Sequence, residues 1–265
     1  MREAGSGTHY NFVLRNENNG RYVQDVVLSF PSTSTIVKQT LAAPQLVGWA
    51  YRTTRDTIIG LAGLLESGEL DVMDFIETFA DEADAETWLK ENKLRPDDMR
   101  DERAEEGTRE HGTLEALAKL DYDDAMSKAE KLVQSDNGRE RAIADWWIVN
   151  GPEVVAAEKV LPCPRFGFCG KVDLIWYTED RTKRVTDLKT RRVGLGVYDS
   201  DMYQVDGYYT AYNLSGPEVP ATERSVLLAY EDGTWKEELV TLPEGAFLRL
   251  KEVYDLNQAL KRRSK

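Results

Sequence analysis

Gly170-Lys-Val-Asp-Leu-Ile-Trp-Tyr-Thr-Glu-Asp-Arg-Thr-Lys-Arg-Val-Thr-Asp-Leu-Lys-Thr190 is the stretch whose reading decides the fold. Alternating Val172, Leu174 and Trp176, and then Val185 and Leu188, predict two β-strands, with the polar run from Thr178 to Lys183 as the turn between them. A turn centred on Asp180 sets Asp173 opposite Asp187. Side chains directly opposite in an antiparallel pair have Cβ atoms roughly 4.5–5.5 Å apart, so the two carboxylates can share one ligand. The period of two returns Lys189 to the face of Asp187, and the same register sets Lys171 across from Lys189.

Two facing carboxylates repel one another, and burying them without a partner is costly. A divalent cation removes the conflict. Hard cations such as Mg²⁺ take oxygen ligands and keep waters, which suits substrates that bring phosphate oxygens. Such a site stabilises charge on a phosphoryl group, and a neighbouring lysine can orient or deprotonate the attacking water. The plainer alternative is a surface hairpin whose Asp and Lys residues form cross-strand ion pairs, and D-x-K after a distant Asp does not decide between the two.

Further segments extend the pattern. Gly170 to Asp173 reads G-x-x-D, and Asp187 to Thr190 reads D-L-K-T. Gln204-Val-Asp-Gly-Tyr208 reads Q-x-x-x-Y, and Gly107-Thr-Arg-Glu-His111-Gly-Thr-Leu-Glu115 reads G-T-x-x-H-x-x-L-E. In this order the four motifs resemble the PD-(D/E)xK nuclease superfamily, in particular its RecB-like and lambda-exonuclease-like branch. Phe30-Pro-Ser-Thr-Ser-Thr-Ile-Val-Lys38 and the Trp49 region are similar to the P-S-x-T-x-(I/V) opening of those exonucleases. The resemblance runs from about Pro31 to Leu214 and rests on the joint order of the motifs.

That resemblance implies a set of roles. Asp173 and Asp187 are metal ligands, Leu188 adds a backbone carbonyl, Lys189 is the catalytic lysine, and His111 is a further ligand. Gln204 supports the lysine, and Tyr208 contacts DNA. One or two Mg²⁺ or Mn²⁺ ions are the implied cofactor. His111 also has a plainer reading, since it falls at helical spacing with Leu114, Leu117 and Ala118 on an apolar stripe. Glu158, in the β-like run Pro152 to Pro162, is a candidate second-metal or supporting carboxylate, and equally a solvated strand residue. Gln204 and Tyr208 are four residues apart on one helix face, where Tyr208, Ala211 and Tyr212 can also pack a helix onto a sheet.

The chain has 265 residues, long enough for a sizeable core. Its net charge of −13 runs against nucleic-acid binding, but much of the acid lies between Glu66 and Glu106 in runs typical of solvated helix faces. Arg165, Lys171, Lys183, Arg184, Arg191 and Arg192 gather instead around the proposed site. Lys171, Arg191, Arg192 and Tyr208 are thus the candidate DNA contacts. Only Cys163 and Cys169 are present, so this chain alone cannot supply a four-cysteine iron–sulfur cluster. No apolar run is long enough to span a bilayer and there is no signal-peptide pattern, which leads to the expectation of a cytoplasmic protein of phage or bacterial type.

Helical spacing predicts helices over about 45–65, 71–92, 97–120 and 122–149. Strands are predicted near 153–161, 167–177 and 183–189, followed by the Gln204 helix. A second hairpin runs through 225–230 and 235–242 about Asp232-Gly233, and a closing helix covers about 244–261. The expected fold is α/β of the α+β kind, with a restriction-endonuclease-like core of PD-(D/E)xK type: a central mixed sheet flanked by helices. The expected division is an N-terminal hairpin and helical region over 1–105 and a nuclease core over 106–265. The expected activity is metal-dependent DNA exonucleolysis in phage-type recombination, replication or repair, with DNA and a single-strand annealing or recombination protein as partners and no membrane. A structure-specific endonuclease and a catalytically silent DNA-binding module are the alternatives.

Overall fold

The computed structural model describes the backbone of residues 2–5, 9–18, 21–41, 44–92 and 96–263, and the side chains of 9–12, 28–41, 54–92 and 107–263. In chain order the elements are β1 (Arg2–Gly5), β2 (His9–Asn18), β3 (Arg21–Pro31), α1 (Thr33–Thr40), α2 (Pro44–Ser67), α3 (Val72–Thr78), α4 (Glu82–Glu91), α5 (Pro96–Ala118), α6 (Tyr122–Leu132) and α7 (Gly138–Asn150). Then follow β4 (Glu153–Cys163), β5 (Phe168–Tyr177), β6 (Lys183–Arg191), α8 (Asp199–Leu214), β7 (Glu223–Tyr230), β8 (Trp235–Leu239) and α9 (Ala246–Arg263). The chain divides into two compact units, one of Met1–Ala42 with Glu110–Lys265 and the other of Ala43–Arg109. Among the described residues no helix is long and apolar enough to cross a membrane.

The larger unit is mixed α/β. Its main sheet has the order β4-β5-β6-β7-β8, with β6 and β7 parallel and the other neighbours antiparallel. A parallel pair needs a crossover, and α8 is that crossover. A three-stranded antiparallel sheet, β1-β2-β3, lies in the same unit and adds a strand to the expected N-terminal hairpin. Both faces of the main sheet are covered. One face packs Val172, Ile175, Val185 and Val226 against Ile36 of α1, Val205 and Tyr208 of α8 and Phe247 of α9. The other packs Leu174, Trp176, Leu188 and Leu227 against Leu114 and Leu117 of α5 and Trp146 and Trp147 of α7. Aromatic side chains bury about 150–250 Å² each, so at about 25 cal/mol per Å² each of these tryptophans contributes up to about 4–6 kcal/mol of gross transfer free energy.

Two predicted helices are each broken into a pair. The 122–149 segment splits because Asn137 caps α7, accepting from the backbone N–H groups of Arg139 and Glu140. The next residue must be glycine, since a Cβ on Gly138 would lie 1.8 Å from the carbonyl oxygen of Glu231. Asp81 splits the 71–92 segment in the same way, accepting from Ala83 and Asp84 at the start of α4. In the smaller unit Phe79 then sits between Phe75 and Trp88, with ring centroids 4.6 and 5.6 Å away.

The expected alternation in β5 also needs a correction. Val172 belongs to one core while Leu174 and Trp176 belong to the other, so the side-chain phase changes at Asp173. The cause lies in the pairing. The β5–β6 ladder runs from Tyr177↔Lys183 to Leu174↔Thr186, and there it stops. Beyond it the Asp173 carboxylate takes over, its Oδ2 accepting from the backbone N–H of Leu188 at 2.7 Å.

Candidate metal centre

Where that ladder ends, three protein groups converge. His111 comes from α5, Glu158 from β4 and Asp173 from β5, and one ligand atom of each lies within 4.8 Å of the other two. His111 Nδ1 is 3.3 Å from Asp173 Oδ1 and 3.9 Å from Glu158 Oε1. His111 reaches this point because Leu114 and Leu117 bury the α5 face in the core, which turns the ring toward the sheet end.

Glu158 is held there by an unusual backbone. Ala157 pairs with Leu174 and Lys159 with Val172, which places Glu158 opposite Asp173. Its φ is +49°, the left-handed region that non-glycine residues seldom occupy. Such a conformation costs of order 1–3 kcal/mol and persists only where the surroundings fix it. Here the fixing partners are His111 and the Lys171 ammonium, which is ion-paired with Glu158 Oε2. Lys171 therefore serves the cluster. It pairs in register with Val160 of β4 and does not stand across a ladder from Lys189.

Asp187, Lys189, Gln204 and Tyr208 form an adjoining group. Lys189 Nζ lies 2.7 Å from Asp187 Oδ2. That contact is a buried ion pair, and Oδ2 has no further partner among the described residues. Asp187 Oδ1 accepts a long hydrogen bond of 3.4 Å from Gln204 Nε2, which also donates to the Tyr208 hydroxyl at 2.7 Å. The Tyr208 ring lies over Gly170, where a Cβ would sit 2.5 Å from its Cδ1. Gly170 and Tyr208, from two of the motifs, are thus a single packing contact.

The charges act on one another across the two groups. Burial drives the Asp187 carboxyl up; Lys189 pulls it back, Asp173 adds to the rise, and the result is about 7. His111 is lowered by burial but raised more by Asp173 and Glu158, and reaches about 10. Asp173, despite burial, is held below the usual carboxylate range by His111 and Lys189. Lys189 is raised, because Asp187, Asp173 and Asp201 outweigh its burial. The two carboxylates thus favour the protonated form of the His111 imidazole that lies between them.

The donor set fits a hard divalent cation. It offers carboxylate oxygens from Asp173 and Glu158, an imidazole nitrogen from His111, and beside them the Lys189-paired carboxylate of Asp187. Asp187 stands outside the 4.8 Å set. The Leu188 backbone N–H, a donor to Asp173, is a positioning contact that the sequence reading missed, having assigned Leu188 through its carbonyl. Arg191 does not point freely outward: its guanidinium binds Asp201 at 2.6 Å and lies over the Tyr198 ring. The Y-D-S-D run at 198–201 is a helix-start signal, and Asp201 also accepts there from the backbone N–H of Tyr198 at 3.0 Å. Arg192 is exposed. Thr33 donates to the carbonyl of Cys169 at 3.0 Å, which ties α1 to the strand carrying Gly170. The side chain of Trp49 lies outside the described residues. Both cysteines are buried and neither forms a disulfide.

No protein-family model matches the chain, and no curated protein matches it. Solved structures do match. One, described as the crystal structure of SSO0001, is 20% identical with a TM-score of 0.26, over 34% of this chain and 41% of that one. A likeness of that extent carries no argument about fold or activity.

Proposed function

We propose that the protein is a divalent-metal-dependent deoxyribonuclease with a PD-(D/E)xK-type core. The observation that carries the reading is the convergence of His111, Glu158 and Asp173 beside the buried Asp187–Lys189 pair. Asp173, His111, Glu158 and Asp187 would hold Mg²⁺ or Mn²⁺, which supplies charge stabilisation at a phosphoryl group and a more acidic water. Lys189 carries a proton at Nζ and is positioned to orient the attacking water or to protonate the leaving oxygen. Gln204, tied to Tyr208, steadies Asp187. Lys171 adds a cation at the rim, where a phosphodiester would arrive.

Of the nuclease classes, an exonuclease is the one whose motif order the chain resembles. Purified protein incubated with end-labelled linear DNA tests the reading. Cleavage is expected with Mg²⁺ or Mn²⁺, is abolished by chelator, and is lost in Asp187→Ala. Activity that survives chelation, or an undiminished Asp187→Ala variant, refutes the mechanism. Closed circular DNA separates the classes, since cutting it requires an endonuclease.

A further inference from the structure

Helix α9 is apolar on two sides. Phe247, Leu250 and Tyr254 are buried in the core of the larger unit, whereas Val253, Leu256 and Leu260 are 46–65% exposed. Spacings of three and four residues align the exposed set in one stripe on the side of the helix away from the core, the pattern of a coiled-coil seam. Arg249 and Arg263 continue the stripe at its two ends, and both are exposed. The last two turns of the helix are basic: from Leu256 to Arg263 there is no acidic residue, and Lys261, Arg262 and Arg263 are all exposed. One apolar stripe is enough to hold a helix on its core, so a second one in solvent marks a surface for a partner.

The smaller unit carries a surface of the same size and the opposite charge. In α3 the Phe75 ring stacks on Phe79, which meets Trp88, while Val72, Met73 and Ile76 are 54–61% exposed. Val72 and Ile76 are four residues apart, with Met73 beside them, so the three make one outward patch. Glu66, Glu69, Asp71, Asp74 and Glu77 flank it, all exposed, and no lysine or arginine occurs between Arg55 and Lys90.

Charge decides which surfaces can meet. Two α9 stripes laid together about Leu256 set arginine against arginine, Arg263 on Arg263 when parallel and Arg249 on Arg263 when antiparallel. Two α3 patches set carboxylate against carboxylate. An α9 stripe on an α3 patch joins apolar to apolar with a basic border on an acidic one, and like-charge pairing is avoided.

We propose that the α9 stripe of one copy docks on the α3 patch of a second copy of this chain. Because each copy carries both surfaces and the two differ, the contact is heterologous and adds copies head to tail. A short helix-on-helix contact buries less than about 1,200 Å² in total, which places it in the weak, reversible class. The inference is independent of the nuclease reading.

Sedimentation velocity of the full chain over about 5–500 μM tests it, a range suited to an interface of that class. The parent chain is expected to grow past the dimer as concentration rises. Leu260→Glu breaks the α9 stripe and Ile76→Lys breaks the α3 patch, with Leu256→Glu and Val72→Lys as a second pair. All four replace exposed side chains, so their melting curves should overlay the parent's. Each variant alone should associate at least about tenfold more weakly, the effect of losing one anchor. Mixed, Leu260→Glu still offers an intact α3 patch and Ile76→Lys an intact α9 stripe, so the mixture is expected to form a 1:1 heterodimer and to stop there. A parent chain that stays monomeric throughout the range overturns the proposal. So does a variant that associates like the parent, or a mixture of the two variants that remains monomeric while the parent grows.

Discussion

Gly170→Ala tests whether the motif glycine is a packing requirement that the site depends on. A Cβ at that position would meet Tyr208 Cδ1 at 2.5 Å, Cε1 at 2.9 Å and Thr33 Oγ1 at 3.0 Å. Comfortable carbon contacts are about 3.5–4.0 Å, so the ring must retreat by about 1 Å. It has little room to do so. Tyr208 is buried against the core, and its hydroxyl is held by Gln204. Overpacking of this kind costs about 1–3 kcal/mol, and contact with a fixed ring and a bonded hydroxyl places this case at about 2–3 kcal/mol. Urea denaturation should show the midpoint falling at constant slope. A cycle with Tyr208→Ala isolates the contact. Truncating the ring is expected to cost about 3–5 kcal/mol in the parent chain and about 1–2 kcal/mol less in the Gly170→Ala background. Because the displaced ring also carries Gln204, and Gln204 reaches Asp187, Mn²⁺ affinity should fall together with stability. A Gly170→Ala change of less than about 0.5 kcal/mol, or an additive cycle, refutes the reasoning.

Metal binding should release protons. His111, at about 10, and Asp187, at about 7, hold protons that a cation displaces, so Mn²⁺ affinity is expected to rise from pH 6 to 9, checked by calorimetry in buffers of different ionisation enthalpy. The same shifts fix the pH dependence of the metal-free fold: stabilisation by protons on Asp187 and His111 is complete below their ordinary values of 3.8 and 6.5 and is lost as pH passes about 7 and about 10. Melting temperature in chelator should therefore fall from pH 6 to 10, with a flatter upper limb in His111→Gln; a rise would contradict the assignment. At Glu158, with its φ of +49°, Gly should be more stable than Ala by about 1 kcal/mol, the reverse of the usual order in a strand, while both variants lose metal affinity in titrations. Lys189→Gln should slow cleavage by about 10²–10⁴-fold and leave Mn²⁺ affinity unchanged or higher, because a cation beside the carboxylates has been removed; the opposite pattern in paired kinetic and binding measurements would count against its role.

What could be read from the sequence was what is local. The hairpin of β5 and β6, the second hairpin about Asp232-Gly233 and the helix bearing Gln204 and Tyr208 follow from short-range periodicity and turn chemistry, and the structure forms all of them. The turn centre at Asp180 was right as well, since Tyr177↔Lys183 and Leu174↔Thr186 share it. The interruptions were harder to see. Gly138 is forced by the approach of Glu231, nearly a hundred residues away, and no window around Asn137 contains that contact. The phase change at Asp173 arises because a side chain replaces the ladder, which a period-two count cannot register. Glu158 was an ambiguous strand residue until its left-handed backbone and its two partners could be seen together. His111 was ambiguous for the opposite reason, because its apolar stripe is real: Leu114 and Leu117 are core residues, and the same face delivers the imidazole to the carboxylates.

An acidic chain with a candidate site for a polyanion poses an electrostatic question, and the cluster itself suggests the answer. Asp173, Asp187 and Glu158 bring three formal negative charges, which Lys171, Lys189 and protonated His111 match. The metal-free cluster is therefore close to neutral although the chain carries −13. Exchange of the His111 proton for a divalent cation raises the local charge by one unit. Partial protonation of Asp187, at about 7, reduces that gain, because each proton the cation displaces from it takes away one positive charge, so the gain is largest above about pH 7. Under the proposed reading, the site becomes attractive to a phosphodiester only once the cation has bound, so the acidity of the rest of the surface disfavours nucleic acid everywhere except where the metal has loaded. Weak DNA binding in chelator and tighter binding with a metal that does not support cleavage are the consequence of that charge balance.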